Sequence, residues 1–80
     1  VEINEAFAAQ IVPCKEDLGI DDDKLNPFGG AIALGHPFGM TGARIMTTLL
    51  NDLDTLDGTY GIESMCAAGG MGMAMLVQRL

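Results

Sequence analysis

Residues 29 to 44 read GGAIALGHPFGMTGAR and hold the only histidine in the chain, His36. It lies between Gly35 and Pro37, with Gly29, Gly30, Gly39 and Gly42 nearby. Proline drives the residue before it out of the helical region. Glycine admits backbone shapes that other residues resist. His36 is therefore expected on a tightly shaped loop that leads into a helix. An imidazole exchanges protons near neutral pH, and such a loop would present it. The same residues also fit a glycine-rich turn whose histidine is packed or solvated.

The rest of the chain must build a core around this loop from modest material. It has 80 residues, which allows one domain at most. The apolar fraction of 49% excludes disorder by composition. There are eleven Gly, six Met, three Phe, one Tyr and no Trp, so each buried side chain removes little area from water. An isolated core of this kind would be marginal. Some apolar surface is expected to face material outside the chain. The sequence starts at Val1 rather than Met and is expected to be a piece of something longer. Its lack of a targeting signal then says nothing about where the parent resides.

Charge narrows the partners. The formal net charge is −7, and phosphate contacts need a basic face, so nucleic acid is not an expected partner. An acidic membrane surface is disfavoured for the same reason, and no stretch of about 20 apolar residues points to membrane insertion. Glu16, Asp17, Asp21, Asp22 and Asp23 form one acidic cluster, read as a solvated loop. Cys14 and Cys66 are the only cysteines and lack the spacing of a secreted disulfide scaffold, so a reduced, intracellular pair is expected.

Periodicity sketches the elements. Val1 to Ile3 read as the end of a strand, with Asn4 as the N-cap of a first helix. Phe7, Ile11 and Cys14 share one face of that helix, and Pro13 is expected to kink or stop it near Val12. EDLGIDDDKLNPFGG reads as loop. A second helix is expected from Gly39–Thr41 to Asp54, burying Ile45, Leu49 and Leu53, with Leu50 and Leu56 at its edge and Gly58 just past its end. Residues 59 to 66 and 71 to 79 read as an antiparallel strand pair around AAGG. The order predicts an α/β or α+β layer: two helices on three or four strands, half a domain rather than a whole one.

Other residues carry weaker chemical signals. Cys66 precedes a glycine turn, AAGGMG, whose backbone N–H groups could bind a developing oxyanion. A free cysteine is also, more simply, a small buried hydrophobe. Cys14 and the methionines read as core or interface filler. One histidine and two separated cysteines do not make a zinc site, so no metal is expected. No phosphate-binding loop or dinucleotide fingerprint follows a strand.

Three motifs, in order, carry a resemblance. NEAF at 4–7, NPFGGAIALGHPFGMTGAR at 26–44 and CAAGGMG at 66–72 resemble the Asn-Glu-Ala-Phe, Gly-His-Pro and closing Cys-x-Gly-Gly-Gly motifs of the thiolases, the acetyl-CoA acyltransferases. The resemblance covers essentially the whole chain, as the C-terminal end of that family. It implies an α/β fold: part of a layered α-β-α domain, with residues 1–80 as a fragment of the C-terminal domain and two helices on a small mixed sheet.

The resemblance also implies roles. His36 would activate a nucleophilic cysteine and help hold a thioester oxyanion. Cys66 would exchange a proton with the α-carbon of acetyl-CoA. Asn4 would hold the water that completes one oxyanion site, and the backbone N–H of Ala68 would serve the second. Gly69 and Phe38 would contact substrate. Where the family commonly has Gly, this chain has Ala68, so the turn must tolerate a Cβ. The CAAGG and GHPFG forms tilt the resemblance towards the degradative class.

Coenzyme A enters as part of the acyl-CoA substrate, and no separate cofactor is implied. The family's acyl-accepting cysteine lies in its N-terminal half, and neither Cys14 nor Cys66 fits its context. The implied partners are acyl-CoA, free coenzyme A, that N-terminal half and further copies in a homo-oligomer. The location would be cytoplasmic in a bacterium, and mitochondrial or peroxisomal in a eukaryote. The chain alone is expected to be inactive. A non-catalytic binding or dimerisation module derived from a thiolase is the alternative.

Overall fold

The computed structural model describes all 80 residues. Three strands and three helices follow the chain: β1 (Glu2–Ile3), α1 (Ala8–Leu18), α2 (Ala31–Leu34), α3 (Thr41–Thr55), β2 (Tyr60–Ala67) and β3 (Met71–Gln78), with a 3-10 turn, Phe38–Met40, leading into α3. The sheet is mixed. β1 runs parallel to β2, with Ile3 opposite Ser64, and β2 runs antiparallel to β3, with Cys66 opposite Gly72. The parallel connection from β1 to β2 runs through all three helices, as a parallel pair requires.

The α3 stripe forms as its spacing predicts. Ile45, Leu49 and Leu53 are buried, while Leu50 and Leu56 stay exposed. The helix lies on one face of the sheet so closely that a Cβ on Gly61 of β2 would come within 2.7 Å of Leu49 Cδ1. Ile3, Ile11 and Ala31 complete the buried apolar set. The expected hairpin is also present, and Gly69 and Gly70 turn it with φ of 81° and 76°. The acidic residues 16, 17 and 21–23 are exposed, and Lys15 pairs with Asp22.

Several expectations need correction. Asn4 does not cap α1. Its backbone N–H donates to Ser64 O at 2.9 Å, so it prolongs the β1–β2 ladder. The helix starts after an extended Phe7, whose carbonyl accepts from Gln10 and Ile11. Phe7 itself is exposed rather than on the buried face.

Pro13 does not stop α1 either. It removes one N–H, and the carbonyl that loses a partner belongs to Ala9, an exposed residue whose oxygen water can satisfy. The real stop is Gly19. With φ of 63°, it donates to Glu16 O, while Ile20 donates to Lys15 O, the paired bonds of a Schellman cap. The segment EDL is therefore the last turn of the helix rather than loop.

A third helix, α2, occupies part of the glycine-rich segment that reads as loop, so the chain holds three helices rather than two. At the end of α3, Asp57 rather than Gly58 takes the left-handed backbone, at φ of 53°. Gly58 instead packs against Leu53.

The second face of the sheet is thinly covered. Between it and α1 lies an apolar hollow of about 640 Å³, with Ile3, Cys14, Leu18, Ile62, Met65 and Cys66 among its walls. Along β3, Met71, Met73 and Leu76 are exposed.

Candidate active site

His36 is half-buried in the loop between α2 and α3. Gly35 (φ 102°, ψ 161°) and Pro37 (φ −69°, ψ 118°) set its backbone. Three neighbours fix the ring. Asn4 Nδ2 lies 3.2 Å from Nε2, Thr41 Oγ1 lies 3.3 Å from Nδ1, and the Phe38 ring meets it edge-on with centroids 5.1 Å apart. With the amide nitrogen of Asn4 facing the ring, Nε2 accepts, and Nδ1 carries the proton donated to Thr41. A half-turn of the amide would invert both roles. Asn4 is 3% exposed, and its Oδ1 is buried without a protein donor.

The loop is held from behind. Asn26 is buried with φ of 45° and clamps the end of β1: its Oδ1 accepts from Ile3 N–H at 2.9 Å, and its Nδ2 donates to Ile3 O at 3.0 Å. The Glu5 carboxylate accepts from Asn26 Nδ2 at 2.9 Å and from Ile32 N–H at 3.0 Å.

A family model described as the C-terminal domain of thiolase matches residues 1–79. The chain belongs to the thiolase family. It is 52% identical over 82 residues to a beta-ketoadipyl-CoA thiolase of Acinetobacter baylyi, covering 100% of this chain and 20% of that protein. It is 54% identical over 82 residues to a 3-ketoacyl-CoA thiolase of Vibrio cholerae, covering 99% and 21%. An acetyl-CoA acetyltransferase of Escherichia coli is 51% identical over 80 residues, covering 100% and 20%. Among solved structures, the Bacillus anthracis acetyl-CoA acetyltransferase superposes with a TM-score of 0.93 at 44% identity, over 99% of this chain and 20% of that one. The chain thus spans about a fifth of the length of the thiolases it matches.

Within this thiolase segment the first two motifs meet: Asn4 of the first touches His36 of the second, 32 residues away. Cys66 of the third motif is an exposed free thiol among the walls of the apolar hollow. Cys14, the other free thiol, accepts from Gln10 Nε2 and lines the same hollow. Ala68 enters the hairpin turn without a left-handed backbone, since only Gly69 and Gly70 carry positive φ there. Its Cβ therefore costs the turn no strain. Phe38 is 88% exposed except where its edge meets the imidazole.

Sequence reasoning missed Thr41, Glu5 and Asn26. Thr41 could have been found from its place at the start of α3, five residues after the histidine it contacts. Asn26 and Glu5 gave no local signal, because every partner of their side chains is more than 20 residues away.

Proposed function

We propose that the chain supplies the acid/base part of a thiolase centre in a longer protein, which cleaves a 3-ketoacyl-CoA with coenzyme A or runs the reverse condensation. The observation that carries this reading is the Asn4–His36 contact at 3.2 Å, made by two motifs of the family in their expected order. The 3-ketoacyl thioester class follows the names of two of the relatives. We read the degradative direction as the working one. The nucleophilic cysteine would come from the remainder of the protein, which would assemble as a homo-oligomer.

In cleavage, a cysteine thiolate attacks the 3-keto carbon, and its oxygen takes up the negative charge. The bond between carbons 2 and 3 then breaks, leaving the acyl group on sulfur. The two-carbon enolate takes a proton at carbon 2 from the Cys66 thiol and leaves as acetyl-CoA. Coenzyme A thiol next loses its proton to the Cys66 thiolate and attacks the acyl-enzyme, which restores both cysteines. His36 accepts the nucleophile's proton at the start and presents N–H to the thioester oxygen. Asn4, a buried side chain with an unpaired oxygen, suits the holding of a water beside that imidazole. The backbone N–H of Ala68 would serve the second oxyanion, with Gly69 and Phe38 against the substrate.

The test is thiolysis of acetoacetyl-CoA by the complete protein. His36→Ala and Cys66→Ala are each expected to abolish turnover while circular dichroism stays unchanged. Asn4→Ala is expected to lower kcat by about 100- to 1,000-fold, the typical cost of one oxyanion donor. Near-normal turnover in the Cys66 variant would remove that residue from the mechanism. Acetyl-CoA formation by the 80-residue chain alone would contradict the division of labour proposed here.

A further inference from the structure

The α2 helix has no cap of its own. Gly30 at its N-cap position has no side chain, and its carbonyl accepts from Ala33 and Leu34, which leaves the Ile32 N–H without a local acceptor. The acceptor comes instead from the other side of the loop. Glu5 Oε1 takes the Ile32 N–H at 3.0 Å, while Oε2 takes Asn26 Nδ2 at 2.9 Å. Helix N-termini favour such an oxygen, because their first N–H groups have no partner within the helix.

Gly30 makes room for it. A Cβ at that position would lie 2.4 Å from Glu5 Cδ and within 2.8 Å of both carboxylate oxygens. The carboxylate therefore bridges residues 26 and 32, the two ends of the stem that carries the His36 loop. Glu5 also directly follows Asn4, the residue that touches His36. Adjacent residues of one extended segment thus grip the loop at its tip and at its stem.

We propose that Glu5 is a positioning residue, whose carboxylate sets the stem of the His36 loop at the height where the imidazole meets Asn4. This rests on the thiolase reading for its effect on turnover, but the geometry it asserts can be read without turnover. Gln in place of Glu keeps the shape and turns one acceptor into an N–H2 donor. That donor then faces either the Ile32 N–H or the Asn26 amide, and one bond of the bridge is lost. A shift of the ring by about 1 Å is enough to lower a rate roughly 100-fold.

The experiment uses the complete protein. Glu5→Gln is expected to lower kcat by about 10- to 100-fold with KM changed less than about twofold. It should also speed hydrogen exchange at the Ile32 amide and move the 15N shifts of the His36 ring. Glu5→Ala should lose at least as much. Unchanged kcat, or unchanged His36 ring shifts with a mobile Ile32 amide, overturns the proposal. If Glu5→Gln does not fold, Gly30→Ala, which drives a Cβ into the carboxylate, is read for the same split. Failure of both to fold also overturns it, because Glu5 would then hold the fold at large. If the unaltered protein shows no thiolysis, the functional reading fails, while the ring shifts and the Ile32 exchange still decide the role of Glu5.

Discussion

Glu2 is completely buried, and Asp52 and Glu63 are nearly so. Glu2 and Glu63 are partners in the β1–β2 ladder, and Asp52 and Arg44 of α3 lie beside Glu2. No protein donor reaches either oxygen of Glu2 or Asp52. Two bare carboxylates cannot bond each other, whereas a proton on Glu2 makes it an O–H donor towards Asp52. Burial, then the hydrogen bond to Asp52 and its charge, push Glu2 up to about 8, against the opposing pull of Arg44 and the Val1 ammonium. Glu63 is also raised, by burial. A raised carboxyl means that the folded chain keeps a proton the unfolded chain releases. That stabilisation is full below about 4.5 and is lost as pH rises through about 8. The urea midpoint should fall across this window. Glu2→Gln, neutral at every pH, should flatten the fall. A variant with the slope of the parent would show that Glu2 holds no such proton.

At the scale of elements, α3 and α1 are built on different terms. α3 stands on its apolar stripe. Leu49 is 1% exposed and Leu50 is 49% exposed, although they are neighbours in sequence. Leu49→Ala should cost about 2–5 kcal/mol in chemical denaturation. Leu50→Ala should stay within about 0.5 kcal/mol. Equal costs would mean that the helix does not lie as described. α1 buries only Ile11 and depends more on its ends. Its termination at Gly19 predicts that Gly19→Ala, forced to φ of 63°, lowers stability by roughly 1 kcal/mol. Pro13→Ala should instead raise amide protection along α1, because it restores the bond to Ala9.

At the scale of the molecule, the apolar surface is unfinished. The accessible area is 5233 Å², whereas a folded monomer of 8.4 kDa exposes about 4,600 Å². Met71, Met73 and Leu76 on β3 are exposed, and an apolar hollow lies open beside α1. The isolated 80 residues should therefore self-associate at micromolar concentration and bind a hydrophobic dye, with broad boundaries in sedimentation velocity. A sharp monomer boundary without dye binding would mean that this surface is tolerated in water. No helix is long and apolar enough to cross a membrane.

Local chemistry wrote part of this protein directly into its sequence. The 3.6-residue spacing of Ile45, Leu49 and Leu53, the hairpin around AAGG and the three ordered motifs depend on near neighbours, so pattern alone determined them. The tertiary structure decided what depends on distant partners. Asn4 looked like a helix cap and became a ladder residue touching His36, because Ser64 offered its carbonyl. Pro13 looked like a stop, but the carbonyl it leaves unpaired is on an exposed residue. The α2 helix looked like loop, because the oxygen that caps it belongs to Glu5, 27 positions upstream of Ile32. Glycine, proline and apolar spacing act over one or two turns of chain. A buried carboxylate or a borrowed cap exists only once folding has brought the far side of the molecule alongside.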